Sequence, residues 1–346
     1  MKPTTENFEQ RLVEQLQPVR FFALAQVLRH CLRLGLFTSL DRRPHTTQEL
    51  ATNHSLDAGR LGALLRYLEN EQYVRDADAW QLTDKARQLL PIAPWYELLL
   101  DGYTTTFDQL GDALAAGSPY ATRVDHRVGS GSCGISQHDA LPLVESLLDR
   151  SDGPVDTVVD LGCGNGAFLL ELLRRRPNLR GVGLEPSGEA CQEAGKLAAA
   201  AGLSDRVTFH QAPARSALEV ELAPAGAGVC FLTAFVLQEM LEQEGDAAVE
   251  ALVGGVLAGL PEAQWIVIEV DHQPSGPAMA HPLAMAYYNE YFLLHAITAQ
   301  RLEPRKYWDD LFTRAETTKI AEAGPPLEVD STRLEFGVLL RGGSRF

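Results

Sequence analysis

The stretch Thr157-Val-Val-Asp160-Leu-Gly162-Cys-Gly164-Asn-Gly166-Ala-Phe168 constrains the fold of this chain more than any other. An apolar, β-branched run reaches an acid, passes three alternating glycines and enters the helix-like Phe168-Leu-Leu-Glu-Leu-Leu173. That is the sequence form of a strand, a tight turn and a helix N-terminus. Lacking a Cβ, Gly162, Gly164 and Gly166 allow a sharp turn and let a bound molecule approach the backbone closely. A ligand is therefore expected at this junction.

The rest of the C-terminal half repeats the theme. Val182-Gly-Leu-Glu185 reads as a second strand, Ser187 as the cap of a helix running to Gly202, and Arg206-Val-Thr-Phe-His210 as a third strand. Val229-Cys-Phe-Leu232, a helix over Asp246 to Leu260, and Trp265-Ile-Val-Ile-Glu-Val270 continue the alternation. Such alternation predicts a doubly wound, Rossmann-like parallel sheet with helices on both faces, so the fold class is α/β. Ligands then sit at the C-terminal ends of the strands. Leu327-Glu-Val329 and Leu334 to Leu340 read as an antiparallel closing pair.

The N-terminal half has a different rhythm. Leu24, Val27, Leu28 and Cys31 fall on one helical face. Thr46 and Glu49 have capping-box spacing, and Asp57 caps a helix with the stripe Leu61, Leu64, Leu65 and Leu68. Tyr73-Val-Arg75 and Trp80-Gln-Leu82 flank a polar turn, which completes a winged-helix outline. Such an outline invites a nucleic-acid reading, but between residues 1 and 90 basic and acidic side chains nearly balance, and the candidate reading helix offsets Arg60 and Arg66 with Asp57 and Glu69. No phosphate-seeking surface results. The expected role is subunit pairing and substrate capping. Trp95, Tyr96, Tyr103 and Phe107 supply aromatic core or pocket lining, and Gly129-Ser-Gly-Ser-Cys-Gly134 reads as a flexible loop at the seam between the halves. The expected domains are 1–140 and 141–346.

A formal net charge of −16 disfavours nucleic-acid and anionic-membrane partners. Residues 1–20 lack the apolar core of a signal peptide, and no apolar run approaches the roughly 18 residues of a membrane helix. Five scattered cysteines without a Cys-x-x-Cys pair read as reduced thiols, and the expected compartment is cytoplasmic.

Gly162-x-Gly164-x-x-Ala167 satisfies the permissive dinucleotide pattern, but Asp160 and the third glycine shift the balance. Asp160-Leu-Gly-Cys-Gly-Asn-Gly166 resembles the first motif of class I S-adenosylmethionine-dependent methyltransferases. About 19 residues further on, Glu185 ends a strand where a carboxylate can accept both ribose hydroxyls. The resemblance implies S-adenosylmethionine as cofactor, held by Asp160, Gly162, Gly164, Glu185 and Gln211. Gln211 stands where a frequent pattern has an acid for the adenine amine.

A helical, winged half before such a domain resembles the plant-type small-molecule O-methyltransferases. In that family a His-Asp pair follows the fourth strand, and its histidine deprotonates the substrate hydroxyl. Here the place reads Val236-Leu-Gln238-Glu239-Met240, and Gln238 cannot act as that base. Ile135-Ser-Gln-His-Asp-Ala-Leu-Pro-Leu143, Tyr288-Asn-Glu-Tyr-Phe-Leu-Leu-His295 and Gln300-Arg-Leu-Glu-Pro-Arg-Lys-Tyr-Trp308 resemble instead the α-keto-acid C-methyltransferases. That resemblance implies methylation of the β-carbon of a 2-oxo acid, a small-molecule partner, a homodimer and a place in the supply of modified amino acids for peptide antibiotics.

A β-carbon is nucleophilic only as the enol or enolate, so a proton must leave and the charge must be stabilised. A divalent metal such as zinc could supply the stabilisation as a Lewis acid. Glu239, His272 and His295 are the first choice of ligands, with Asp271 as the substitute carboxylate, although no metal-motif spacing supports them. The catalytic candidates are Gln238, Glu239, Glu269 and His295. Glu269 is expected to orient a neighbour, Tyr288 and Tyr291 to hydrogen-bond the enolate, and Arg20 is weighed as a carboxylate clamp against an ordinary solvated charge. Alternative readings are an O-methyltransferase whose base has moved to His138 or His295, a non-catalytic cofactor-binding regulator, and a nicotinamide oxidoreductase.

Overall fold

The computed structural model describes residues 5–219 and 226–343. The chain folds as two compact units: residues up to Gly102 with His126–Gly131, and Tyr103–Asp125 with the remainder from Ser132.

The first unit is helical. It runs through α1 (Thr5–Gln15), α2 (Gln17–Arg33), α3 (Leu36–Arg42), α4 (Thr47–Asn53) and α5 (Ala58–Asn70) into a hairpin of β1 (Val74–Asp76) and β2 (Trp80–Leu82), then α6 (Asp84–Leu89) and α7 (Ala93–Tyr96). Local signals act as read. Thr46 and Glu49 form a reciprocal capping box, and Asp57 accepts the Arg60 amide. Leu24, Leu28, Cys31, Leu61, Leu65 and Leu68 share one core with Trp80 and Leu82.

The glycine-rich segment expected as a loop lies within a helix, α9 (Asp125–Ser136). Close packing explains the difference. A Cβ on Gly131 would stand 2.5 Å from the backbone nitrogen of Leu98, and one on Gly102 would stand 2.9 Å from Cγ2 of Val128. Glycine is here the residue that lets two backbones touch, at the expense of helix propensity.

The second unit contains α8 (Thr104–Ala113), α10 (Ala140–Leu148) and a seven-stranded sheet: β3 (Thr157–Leu161), β4 (Arg180–Glu185), β5 (Val207–Gln211), β6 (Val229–Ala234), β7 (Gln264–Val270), β8 (Thr317–Ala323) and β9 (Glu335–Gly342). The spatial order is β5-β4-β3-β6-β7-β9-β8, with the first five strands parallel and β9 antiparallel to both of its neighbours, β7 and β8. Between the strands lie α11 (Ala167–Arg175), α12 (Gly188–Ala200), α13 (Leu237–Glu244), α14 (Asp246–Gly259), α15 (Asn289–Ile297) and α16 (Arg305–Arg314). Alternate residues of the buried strands serve opposite faces. Val159, Trp265 and Val267 pack with α13, α14 and α16, whereas Val158, Ile266 and Ile268 pack with α10 and α11. The expected doubly wound α/β sheet is present.

The partner of β9 differs from expectation. It is Thr317–Ala323, joined to β9 with a register shift between Lys319 and Ala321, while residues 327–329 form a turn. Pro325 and Pro326 have no N–H to donate, and the Thr-rich run before them is long enough to pair. No helix among the described residues is long and apolar enough to cross a membrane.

Candidate functional site

Strand order reverses between β3 and β6, so the crevice beyond their C-terminal ends is the expected ligand position. The glycine turn lies there. Gly162, Gly164 and Gly166 have φ of +80°, +55° and +73°. A Cβ on Gly162 would stand 2.8 Å from Cγ2 of Val236 and one on Gly166 2.7 Å from the Phe209 ring, but nothing lies within 4 Å of the Gly164 position. Two glycines thus serve packing and the third faces open space. Glu185 braces the turn, accepting the amides of Gly164 at 3.0 Å and Ser187 at 2.9 Å. Burial, then the nearby Glu185 charge, pushes the Asp160 carboxyl up to about 7. Gln211 is exposed, and its amide donates to the Pro186 carbonyl beside the start of α12.

At the end of β6, Phe235 has φ +60°, a strained value for a bulky residue. The strained turn is held by an amide bond from Phe235 to the Ile268 carbonyl, and it launches α13. Gln238 is buried on that helix, its Nε2 donating to the Tyr291 hydroxyl at 3.4 Å while its Oε1 is buried without a partner. Glu269, from β7, accepts the Gln238 amide at 3.3 Å. Burial pushes the Glu269 carboxyl up to about 8 against the opposing pull of the Leu237 and Gln238 amides. It is a neutral acid at pH 7, and its Oε2 has no partner.

His295 is buried on α15. Its Nδ1 lies 2.7 Å from the Tyr291 carbonyl, and the two rings stack with centroids 3.7 Å apart. A carbonyl only accepts, so Nδ1 carries the proton. Burial drives the imidazole down to about 3, opposed by the bond to Tyr291, so the ring is neutral and Nε2 keeps its lone pair. The ring also approaches Tyr103, with centroids 6.2 Å apart.

Glu239 is committed elsewhere. Arg123 donates to it at 2.6 Å and the Gln300 amide at 3.2 Å. His272 meets the edge of Phe292, and Asp271 accepts the Arg305 amide and the Gln273 side chain. The expected ligand set of Glu239, His272 and His295 is therefore not assembled, and among the described residues no group of three or more His, Cys, Asp or Glu could hold a metal ion. The physical reason lies with Glu239, whose carboxylate is paired with the Arg123 guanidinium; the Tyr291 carbonyl takes only the Nδ1–H of His295 and leaves Nε2 its lone pair.

Arg20 is also spoken for, paired in a fork with Glu71 and half exposed. His138 is exposed, unlike His295. Tyr288 donates to Asp330, and Tyr291 receives the Gln238 bond. Sequence reasoning passed over Arg123, which sits beside Tyr103, Glu239 and His295. It also passed over the buried acids Asp139, Asp330 and Glu335. Asp139 lies within the quoted stretch Ile135 to Leu143, though nothing there singles it out, and no local motif marks Arg123, Asp330 or Glu335.

Residues 158–252 match the family described as Methyltransferase domain. The chain is 43% identical to the 2-ketoarginine methyltransferase of Streptomyces arginensis over 338 residues, 97% of each chain. It is 31% identical to the indolepyruvate C-methyltransferase of Streptomyces griseus over 177 residues, 46% of this chain and 48% of that one. In fold it is similar to human N-acetylserotonin methyltransferase, solved in complex with S-adenosylmethionine. That likeness has a TM-score of 0.65 and 17% identity, and covers 99% of this chain and 100% of that one.

Proposed function

Because the chain belongs to the S-adenosylmethionine-dependent methyltransferases, in the family of 2-ketoarginine methyltransferase, we propose that it transfers the cofactor's methyl group to the β-carbon of a 2-oxo acid. The observation that carries the reading is His295, a neutral imidazole with its Nε2 lone pair available, where a hydroxyl-activating histidine after β6 is replaced by Gln238.

In this reading Asp160, the glycine turn, Glu185 and Gln211 hold the cofactor. Arg123 clamps the substrate carboxylate through the guanidinium N–H groups left beside its bonds to Asp125 and Glu239. His295 Nε2 takes the β-proton and the C–H electron pair becomes an enolate. Buried donors then face the enolate oxygen: the Gln238 amide, the Tyr291 hydroxyl and the protonated Glu269. A neutral acid suits this role better than a carboxylate, which would repel the developing charge. The enolate carbon attacks the sulfonium methyl in line; a C–C bond forms, the S–CH3 bond breaks and S-adenosylhomocysteine leaves. The proton on His295 returns to solvent. As the imidazole is weakly basic in the empty site, the anionic substrate must raise its affinity for the proton during turnover.

The product suits transamination to a β-methyl amino acid, which supports a role in supplying a precursor for a peptide natural product. Residues 141–346 would then carry cofactor and substrate, and residues 1–140 subunit pairing and capping. The exposed stripe Phe8, Leu12, Leu16, Val19 and Phe22 on α1 and α2 supports pairing of two copies. The test is incubation with S-adenosylmethionine and either 4-methyl-2-oxovalerate or 2-ketoarginine, followed by mass. Gain of one methyl supports the reading. Methylation of hydroxyl acceptors alone would replace it with O-methylation.

A further inference from the structure

Tyr103 carries a hydroxyl and yet is only 2% exposed. It is the N-cap residue of α8. Within the next turns the hydroxyls of Thr105 and Thr106 donate to the Thr122 carbonyl at 2.9 and 2.8 Å, and the Gln109 side chain accepts the Thr122 amide at 2.8 Å. The Ala121 amide donates to the carbonyl of Ile297, at the end of α15, at 2.9 Å. The segment that carries Arg123 is thereby fixed both to the start of α8 and to the helix of His295. Tyr103 and Arg123 are held against each other before any ligand arrives.

Arg123 directs a hydrogen bond to the Tyr103 hydroxyl. A guanidinium only donates, so the phenol oxygen accepts and its own proton points away from Arg123. Among the described residues no acceptor takes that proton. Burial pushes the phenol up to about 12, against the pull of Arg123, so the hydroxyl keeps its proton. Packing alone would be served by phenylalanine, and a buried hydroxyl with an unused proton is costly. The surroundings are those of the proposed reaction centre. Tyr103 lies within the electrostatic reach of Tyr287 and Tyr291, and its ring stands 6.2 Å from that of His295.

Arg123 needs such a neighbour. Its guanidinium already serves Asp125 at 2.9 Å and Glu239 at 2.6 Å. Two carboxylates outweigh one guanidinium, so charge alone attracts a third carboxylate poorly, whereas a neutral donor at its side can hold an anion. We propose that the Tyr103 hydroxyl is the second arm of the clamp, donating to the substrate carboxylate that Arg123 holds. This rests on the 2-oxo-acid reading and adds the residue that makes the site select a free carboxylate. Acceptors of one planar guanidinium lie side by side along its edge, so a carboxylate on Arg123 is within reach of the hydroxyl already there. The bond is the same before and during methyl transfer, so Tyr103 acts on affinity rather than on the chemical step.

Tyr103→Phe removes the hydroxyl and keeps the ring. Calorimetric titration of the S-adenosylhomocysteine-loaded protein compares 5-guanidino-2-oxopentanoate, which is 2-ketoarginine, with 5-guanidino-2-oxopentanamide, which has no carboxylate. The variant should bind the acid about 10-fold or more weakly than the parent does, and the amide within about 2-fold of it. The KM for the acid should rise while kcat stays within about 3-fold. Unchanged affinity for the acid, or equal losses for acid and amide, would overturn the assignment. A crystal structure of the parent with S-adenosylhomocysteine and the acid needs no variant. Tyr103 Oη should stand within about 3.2 Å of a carboxylate oxygen, and a separation above about 4 Å would overturn the clamp. Methyl transfer separates the two claims: C-methylation without dependence on Tyr103 sinks the clamp alone, and Tyr103-dependent binding without C-methylation sinks the parent reading alone.

Discussion

His295 donates its Nδ1 proton to the carbonyl of Tyr291, one helical turn earlier and 2.7 Å away, while its ring lies stacked on that of Tyr291. One residue thereby sets the tautomer, the orientation and the burial of the other. The lone pair left on Nε2 is what a proton abstraction requires.

Replacing His295 with Ala should slow loss of the β-proton by about 100-fold or more. Exchange of the C3 hydrogens of the 2-oxo acid with deuterium oxide, measured with S-adenosylhomocysteine bound, isolates this step from methyl transfer. Exchange as fast as in the parent would move the base elsewhere.

Glu185 braces the glycine turn through two amides and is the expected ribose acceptor. Glu185→Ala should weaken S-adenosylhomocysteine binding by about 10-fold or more, equivalent to about 1.4 kcal/mol. Titration calorimetry measures it. Unaltered affinity would remove Glu185 from the cofactor site.

Glu269 should make the protein less stable as pH rises. Its carboxyl ionises near the ordinary value of 4.5 in the unfolded chain and near 8 when folded. Between these values the folded state holds a proton that the unfolded state has lost. Its contribution is complete below about pH 4.5, falls by about 1.4 kcal/mol per pH unit and is gone above about 8. Glu269→Gln should flatten the decline of melting temperature across this window. Asp160 and Asp139, also raised by burial, add slopes of the same sign that the variant retains. An identical slope in parent and variant would contradict a neutral Glu269.

The apolar stripe of α1 and α2 should bury itself between two copies. Val19→Asp combined with Phe22→Asp should convert a dimer to a monomer in sedimentation velocity, without unfolding the core of α2 that Leu24, Leu28 and Cys31 build. A monomeric parent would contradict pairing through this surface.

Much of the sheet was legible because buried parallel strands are written as continuous apolar runs, as in Trp265 to Val270, and because caps such as Thr46 and Ser187 act locally. The glycine turn was legible for the same reason, since positive φ leaves a residue-type signature. Packing hid the rest. The helix through Gly129 to Gly134 depends on a close approach to Leu98 that no local pattern reveals, and β8 was overlooked for a shorter segment behind two prolines. The three expected metal ligands are not brought together among the described residues, and Arg123, distant in sequence, pairs with Glu239. Likewise Tyr103 and Arg123 meet only through the fold.

The most direct test follows the methyl carbon itself. Methyl-carbon-13 S-adenosylmethionine is incubated with 5-guanidino-2-oxopentanoate, and the product is read by carbon–proton correlation. The account predicts a labelled methyl doublet coupled to a single hydrogen at C3, lost in His295→Ala. Label on oxygen or nitrogen, or none on the 2-oxo acid while the protein still binds S-adenosylhomocysteine, would contradict it.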